Sequence, residues 1–338
     1  MKRVLHIVYQ MNRGGIETFL MNIYRNIDTE NIQFDFIVRK QEMGEYDNEI
    51  KQKGGKIYFI PARRNHLKGY MKLWETFYQE HPEYDVIHYH VSSLADITPL
   101  IAAKKCNRKT IIIHAHSSSQ KLLLNKILHS INKNRIQKYI TLVCSCSDKA
   151  TNYMYNKRIM KNVIEIKNGI ETEKFIYSEE KREKIRKELQ ISDKFVIGHV
   201  GRFSYPKNHN FLIEVFKQIC EYREDAVLLL VGTGSLQKEI EQKVKEYNLE
   251  EKVFFLGSRS NVNELLMAMD IFLFPSFYEG MPVSLIEAQA SGMKCIVSDT
   301  ITNTVNVTGL ICFMSLEDTA EQWAKKIIQE SNYERENQ

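Results

Sequence analysis

Glycine and proline are scarce, 15 and 6 in a chain of 338 residues, which excludes collagen-like and low-complexity architectures. No window approaches the ~18–20 consecutive apolar residues of a membrane-spanning helix. The basic N-terminus, Met1–Tyr9, carries no apolar stretch of signal-peptide length. Cysteine is also sparse: six, at 106, 144, 146, 220, 295 and 312, with no Cys-x-x-Cys pair and no histidine pair at zinc-finger spacing. The expectation is a cytoplasmic protein with reduced, mostly buried thiols, Cys144 and Cys146 pointing to one face of a strand end. Asp-x-Asp is absent. An excess of one charge is lacking too, since a net charge of +5 with 26% charged residues is too mild for a dedicated nucleic-acid binder.

What is present is hydrophobic and rhythmic. The 43% of hydrophobic residues supports sizeable cores, and the length suggests two domains of roughly 150 residues. Val4–Tyr9, Phe34–Val38, Ile57–Ile60, Val86–His90, Thr110–His114 and Tyr139–Cys144 read as strands, and Gly14–Gly15 precedes a helical Ile16–Ile27. The rhythm restarts after Asn168–Gly169. Strands then fall at Val196–Val200, Ala226–Val231, Val253–Leu256, Ile271–Pro275 and Lys294–Ser298. Helices fall near Asn210–Cys220, Leu236–Tyr247, Asn261–Met269 and Val283–Ala290. Such alternation implies parallel sheets covered by helices. The expected fold is α/β, two doubly wound Rossmann-like domains over residues 1–170 and 171–338, facing across a cleft. The mixed-charge run Ser178–Lys187 is a solvated helix at their junction. Ligands of such sheets bind beyond the carboxyl ends of the strands.

In the second half the strand Val196–Val200 runs into Gly201–Arg202, with Lys207 five residues further on. Glycine there permits close backbone approach, and the two cations could grip one diphosphate, the guanidinium by paired hydrogen bonds and the ammonium as a point charge. A second segment, Phe274–Ala288, ends a strand at Pro275 and carries Glu279 and Gly280 in a loop. Pro282 suits the first turn of the helix that follows. Amides from Gly280 through Met281 and Val283 to Ser284 would face the strand-end crevice. Glu279 and Glu287, eight residues apart, could hold hydroxyls at two ends of one ligand.

This segment resembles the E-x7-E signature of GT-B-fold glycosyltransferases, particularly glycosyltransferase family 4, and the resemblance runs over nearly the whole chain. Gly14–Gly15–Ile16–Glu17 is similar to the family's first glycine loop, and Asn168–Gly169–Ile170 to its inter-domain element. Gly201–Arg202 with Lys207 looks like its phosphate-binding pair. Val231–Gly232–Thr233–Gly234 looks like a further glycine loop, with Thr233 where the family usually has an acid. Capsule and exopolysaccharide transferases carry His-x-His elements similar to His88–Tyr89–His90 and His114–Ala115–His116.

The resemblance implies a retaining glycosyltransferase of hexosyl type in capsule or exopolysaccharide biosynthesis. Its donor would be a nucleotide-sugar, most often a UDP-sugar, and its acceptor lipid-linked or an oligosaccharide; neither metal nor other cofactor is expected, nor nucleic acid. It implies donor contacts from Gly15, Gly201, Arg202, Lys207, Arg259, Gly280, Met281, Pro282, Val283 and Glu287, with Glu279 on the transferred sugar. Gly14 and His90 fall on the acceptor side. A catalytic-site histidine follows the strand Thr110–His114; His116 is favoured, with His114 the alternative. A nucleotide-sugar epimerase of similar shape and a non-catalytic sugar- or nucleotide-binding protein are the rival readings. Family members commonly end with a helix crossing back onto the first domain, and here that element looks shortened or absent after Thr319–Gln329.

Between Ile97 and Ser147 there is no acidic residue, while nine lysines or arginines occur. Within it, residues 121–138 carry an apolar face flanked by Lys133, Arg135 and Lys138. This reads as a surface for anionic lipid on the inner face of the membrane, the alternative being a core-facing helix with a solvated basic side.

Overall fold

The computed structural model describes residues 1–63, 68–117 and 123–335. The chain forms two compact units, Met1–Gly169 and Ile170–Gln338. In the first, seven strands lie in the order β3-β2-β1-β4-β5-β6-β7. They are β1 (Lys2–Ile7), β2 (Ile32–Val38), β3 (Ile57–Phe59), β4 (Val86–Val91), β5 (Thr110–Ala115), β6 (Leu142–Ser145) and β7 (Val163–Glu165). All neighbours pair in parallel. Each connection is therefore a crossover, made by α1 (Gly15–Asn26), α2 (Asp47–Gln52), α3 (Tyr70–Glu80), α4 (Thr98–Lys105), α5 (Leu123–Lys133), and the pair α6 (Asp148–Met154) and α7 (Lys157–Met160).

The second unit repeats the plan with six parallel strands in the order β10-β9-β8-β11-β12-β13. These are β8 (Phe195–Val200), β9 (Ala226–Val231), β10 (Val253–Gly257), β11 (Ile271–Phe274), β12 (Lys294–Ser298) and β13 (Ile311–Met314). Its helices are α8 (Glu179–Glu188), α9 (His209–Tyr222), α10 (Gln237–Glu246), α11 (Val262–Ala268), α12 (Val283–Ala290) and α13 (Ala320–Glu330). β9 is buried along its whole length, as a central strand covered on both faces must be. α13 starts at Thr319 with a reciprocal cap from Gln322 and lays Trp323 edge-on against Phe211 of α9. Beyond it, Arg335 donates to the carbonyls of Leu266, Met267, Met269 and Ser291.

Two strands lie outside the sequence-based expectation. β7 and β13 are three and four residues long, stand at sheet edges and are largely half-exposed, so neither presents the continuous apolar run of a central strand. β6 starts at Leu142 rather than Tyr139 because Ile136–Lys138 closes a 3-10 turn just before it.

In each unit the strand order reverses between the first strand and the fourth, at β1/β4 and β8/β11. Connections leave these pairs in opposite directions, which opens a crevice beyond their carboxyl ends.

One charge sits inside the first sheet. Asp35, in mid-β2, has no exposure. Arg3 clasps it through Nε at 2.5 Å and Nη2 at 2.6 Å, while the Tyr84 hydroxyl donates at 2.8 Å and the Lys56 amide at 2.7 Å. The carboxylate is fully partnered, which is what makes its burial tolerable. Asp35→Ala should leave a guanidinium and a hydroxyl unpaired and cost about 3–5 kcal/mol, read as a lowered denaturation midpoint; an unchanged midpoint would refute this account.

Candidate functional site

In the second unit, the loops after β8 and β11 are joined side by side. The Phe277 amide donates to the Pro206 carbonyl at 2.8 Å, and the rings of Tyr205 and Phe277 stack with centroids 4.9 Å apart. Asn208, at φ 53, donates its side-chain amide to the Pro275 carbonyl at 3.1 Å. Across this seam the Lys207 Nζ lies 2.7 Å from Glu279 Oε1 and 4.5 Å above the Phe274 ring. The lysine stem runs over Gly201, where a Cβ would come 3.1 Å from Lys207 Cε. Gly232, at φ +132, is more tightly required, because a Cβ there would sit 2.2 Å from the Gly201 carbonyl oxygen. Backbone therefore packs on backbone at the rim, as close approach to a ligand demands.

Around this pair, Arg202 is exposed. Arg259 follows β10 and bonds Asn261 Oδ1 at 3.2 Å. Met281 and Val283 are buried. Pro282 is the N-cap of α12 rather than a residue of its first turn, and the helix spans Val283–Ala290, the range read from the sequence. Glu287 lies in the second turn, partly buried, and desolvation pushes its carboxyl up to about 7. The structure thus brings Gly201, Lys207, Glu279 and Gly232 together.

The first unit carries a different grouping. His6 on β1 pairs in register with His88 on β4, and His90 with His114 on β5. Alternate residues of a strand share a face, so His6, His88, His90, His114 and His116 form a continuous patch of rings. Neighbouring centroids lie 4.1–5.4 Å apart. Two hydrogen bonds thread it: His6 Nδ1 to His90 Nε2 at 3.0 Å, and His90 Nδ1 to His116 Nε2 at 2.9 Å. Phe19 of α1 covers it, edge-on to His114. Desolvation holds all five imidazoles below the ordinary histidine range, His6 at about 3 and His114 at about 4, so the patch is neutral. His114 has no exposure and His90 is 5% exposed, whereas His116 is partly open. Gly14 caps α1 and Gly15 begins it, and a Cβ on Gly15 would meet nothing within 4 Å.

α5 has the reverse of a core helix. His129 and Asn132 are its buried residues, exchanging hydrogen bonds with the Leu94 amide at 3.1 Å and carbonyl at 2.7 Å. Leu123, Leu124, Ile127 and Ile131 are 51–73% exposed. The core-facing alternative is therefore wrong: polar groups are satisfied inside, and the apolar stripe points outward. Lys121 and Leu122 lie outside the described residues.

Residues 13–174 match the family described as Glycosyltransferase Family 4, and residues 181–335 match Glycosyl transferases group 1. A Bacillus subtilis (strain 168) protein named as the glycosyltransferase EpsF is 34% identical over 335 residues, spanning 96% of this chain and 87% of its own length. The chain belongs to glycosyltransferase family 4. The capsular polysaccharide biosynthesis glycosyltransferase CapH of Staphylococcus aureus is 27% identical over 97% of this chain and 90% of its own. An Escherichia coli UDP-Gal:alpha-D-GlcNAc-diphosphoundecaprenol alpha-1,3-galactosyltransferase is 26% identical over 93% and 82%. Among solved structures, Anabaena HepE in complex with UDP and glucose superposes with a TM-score of 0.81 at 19% identity, covering 97% of this chain and 89% of that one. The lipopolysaccharide glycosyltransferase WaaG gives 0.72 at 16%, over 98% and 90%. These establish the GT-B fold.

Sequence reasoning missed His6, and read His88 only as part of a motif. A signal existed: in a doubly wound sheet the first strand lies beside the fourth, so two His-x-His strands next to a histidine-bearing first strand must share a face.

Glu287 is the group whose burial has a measurable consequence in this family-4 chain. Its folded value lies above the ordinary 4.5, so the folded state holds a proton that the unfolded chain releases. The associated stability is full below the unfolded value and is lost as pH rises through about 7. Glu287→Gln should therefore gain on the parent between about pH 5 and about pH 8, by about 2–4 °C in melting temperature for each kcal/mol recovered. A pH-independent difference would show that the carboxyl is not desolvated.

Proposed function

We propose that the protein transfers a hexose from a UDP-sugar to a lipid-linked or oligosaccharide acceptor in capsule or exopolysaccharide biosynthesis, retaining anomeric configuration and using no metal or other cofactor. The observation that carries this reading is the Lys207–Glu279 pair across the joined loops. It sets side by side the cation assigned to the diphosphate and the carboxylate assigned to the transferred sugar. The UDP and glucose named with HepE and the UDP-Gal and diphosphoundecaprenol named in the E. coli relative support the same donor and acceptor classes.

Arg202 and Lys207 neutralise the diphosphate and take up leaving-group charge as the glycosidic bond breaks, fixed cations doing what a magnesium ion would otherwise do. The donor phosphate draws Lys207 from Glu279, freeing that carboxylate for the sugar hydroxyls. Glu287 accepts from the ribose, Arg259 sits beside the base, and the turn Gly280–Val283 supports sugar and phosphate. Gly15 leaves room for backbone approach to the donor, and Gly14 does so on the acceptor side. His116 meets the reacting hydroxyl, oriented through its bond to His90, while His114 backs it from inside. The outward apolar stripe of α5, with Lys126, Arg135 and Lys138 beside it, attaches the enzyme to anionic lipid at the cytoplasmic face, where a lipid-linked acceptor resides.

UDP should raise the melting temperature, and Arg202→Ala or Lys207→Ala should each weaken UDP binding by roughly 10- to 100-fold in folded protein. Unchanged affinity in both variants sinks the donor site. Product analysis with a labelled UDP-hexose separates transfer from epimerisation. In flotation assays the protein should rise with phosphatidylglycerol vesicles and stay down with phosphatidylcholine, and Leu124→Glu with Ile127→Glu should abolish the difference. Equal flotation with both lipids would remove the membrane role.

A further inference from the structure

We propose that His90, His114 and His116 form a binding site for a divalent transition-metal ion of borderline softness, the class represented by Zn2+ and Co2+. Each offers one ring nitrogen, and the three lie within 4.8 Å of one another. Three imidazoles, with no carboxylate among them, suit zinc, cobalt, nickel or copper and not the hard, oxygen-seeking Mg2+.

Two further observations point to a ligand. His114 has no exposure, yet neither of its ring nitrogens has a hydrogen-bond partner. A neutral imidazole always presents one lone pair, and leaving it unused in a dry interior calls for an explanation such as an ion. Next, a ligating imidazole almost always donates its other N–H to a fixed acceptor, and His90 has that arrangement. With His90 Nε2–H donating to His6 Nδ1 at 3.0 Å, the lone pair on His90 Nδ1 is directed at His116 Nε2, 2.9 Å away. An ion about 2.0–2.1 Å from each nitrogen replaces that second hydrogen bond with only a slight parting of the two rings.

A second trio, His6, His88 and His90, is also close enough to hold an ion. There the ring of His6 is packed against Phe34 and Phe36 and its Nδ1 is engaged by His90. The outer trio ends in the partly open His116, which gives an ion a way in and leaves water the fourth position of a tetrahedral site. The ion takes the His116 nitrogen and replaces the His90–His116 bond that the proposed function gives to the acceptor hydroxyl, so ion and acceptor exclude one another at this site, whereas the diphosphate grip needs no ion.

The test is titration of tag-free, full-length protein with Co2+, followed through its visible ligand-field bands, with Zn2+ as competitor. One equivalent should bind with a four-coordinate spectrum, Zn2+ should displace it, and millimolar Mg2+ should not. His116→Ala, at a partly open position and so tolerated by the fold, should weaken binding by about 100-fold or more, beyond the 10–100-fold typical of outer partners; His114→Gln should do the same, and His88→Ala should leave it unchanged. Absence of saturable binding, displacement by Mg2+, or binding lost in His88→Ala but kept in His116→Ala would overturn the assignment. UDP binding measured in chelator reports the donor site independently, so the two readings fail separately.

Discussion

A parallel sheet with both faces covered by helices has no surface on which polar groups can meet water, and the backbone's own donors and acceptors are consumed by the ladders. Chemistry is thereby driven to the strand ends. In the second unit this is visible residue by residue: apart from the buried His199 of β8, β8 to β11 are apolar, and the next polar groups appear at Arg202, Thr233, Ser258 and Ser276. The rim itself is held by backbone contact. Gly232 lies against the Gly201 carbonyl, and the loops after β8 and β11 share a hydrogen bond and a ring stack. A cation and a carboxylate can then face one another with their stems packed on glycine and phenylalanine.

The first unit departs from that constraint in two places, and handles each differently. Asp35 remains inside the sheet because four donors meet its two oxygens. The histidines remain inside because desolvation keeps them uncharged, so each retains one donor and one acceptor, and His6, His90 and His116 use them on one another. Neutral rings are cheap to bury where charged ones are not. A face with five such rings on three adjacent strands is a concentration of nitrogen lone pairs that a core built for packing alone would fill with valine and isoleucine.

α5 illustrates how far pattern and placement can diverge. Its periodicity is strongly amphipathic, and amphipathic helices ordinarily turn their apolar stripe inward. Here Asn132 and His129 are needed to satisfy the Leu94 backbone, which turns the helix by half a revolution and leaves leucine and isoleucine outside.

Strand and helix alternation, the two-unit plan and the motif segments were legible in the linear sequence, because buried parallel strands read as continuous apolar runs and turns are punctuated by glycine and proline. β7 and β13 were not, since edge strands need little apolar content. Nor could the sequence join Lys207 to Glu279, set five histidines side by side or choose the buried face of α5. Those outcomes depend on which strands are neighbours and which backbone groups lack partners, both settled only when distant segments pack. Local preference writes the elements; the requirement that every enclosed polar atom find a partner decides how they are turned toward one another.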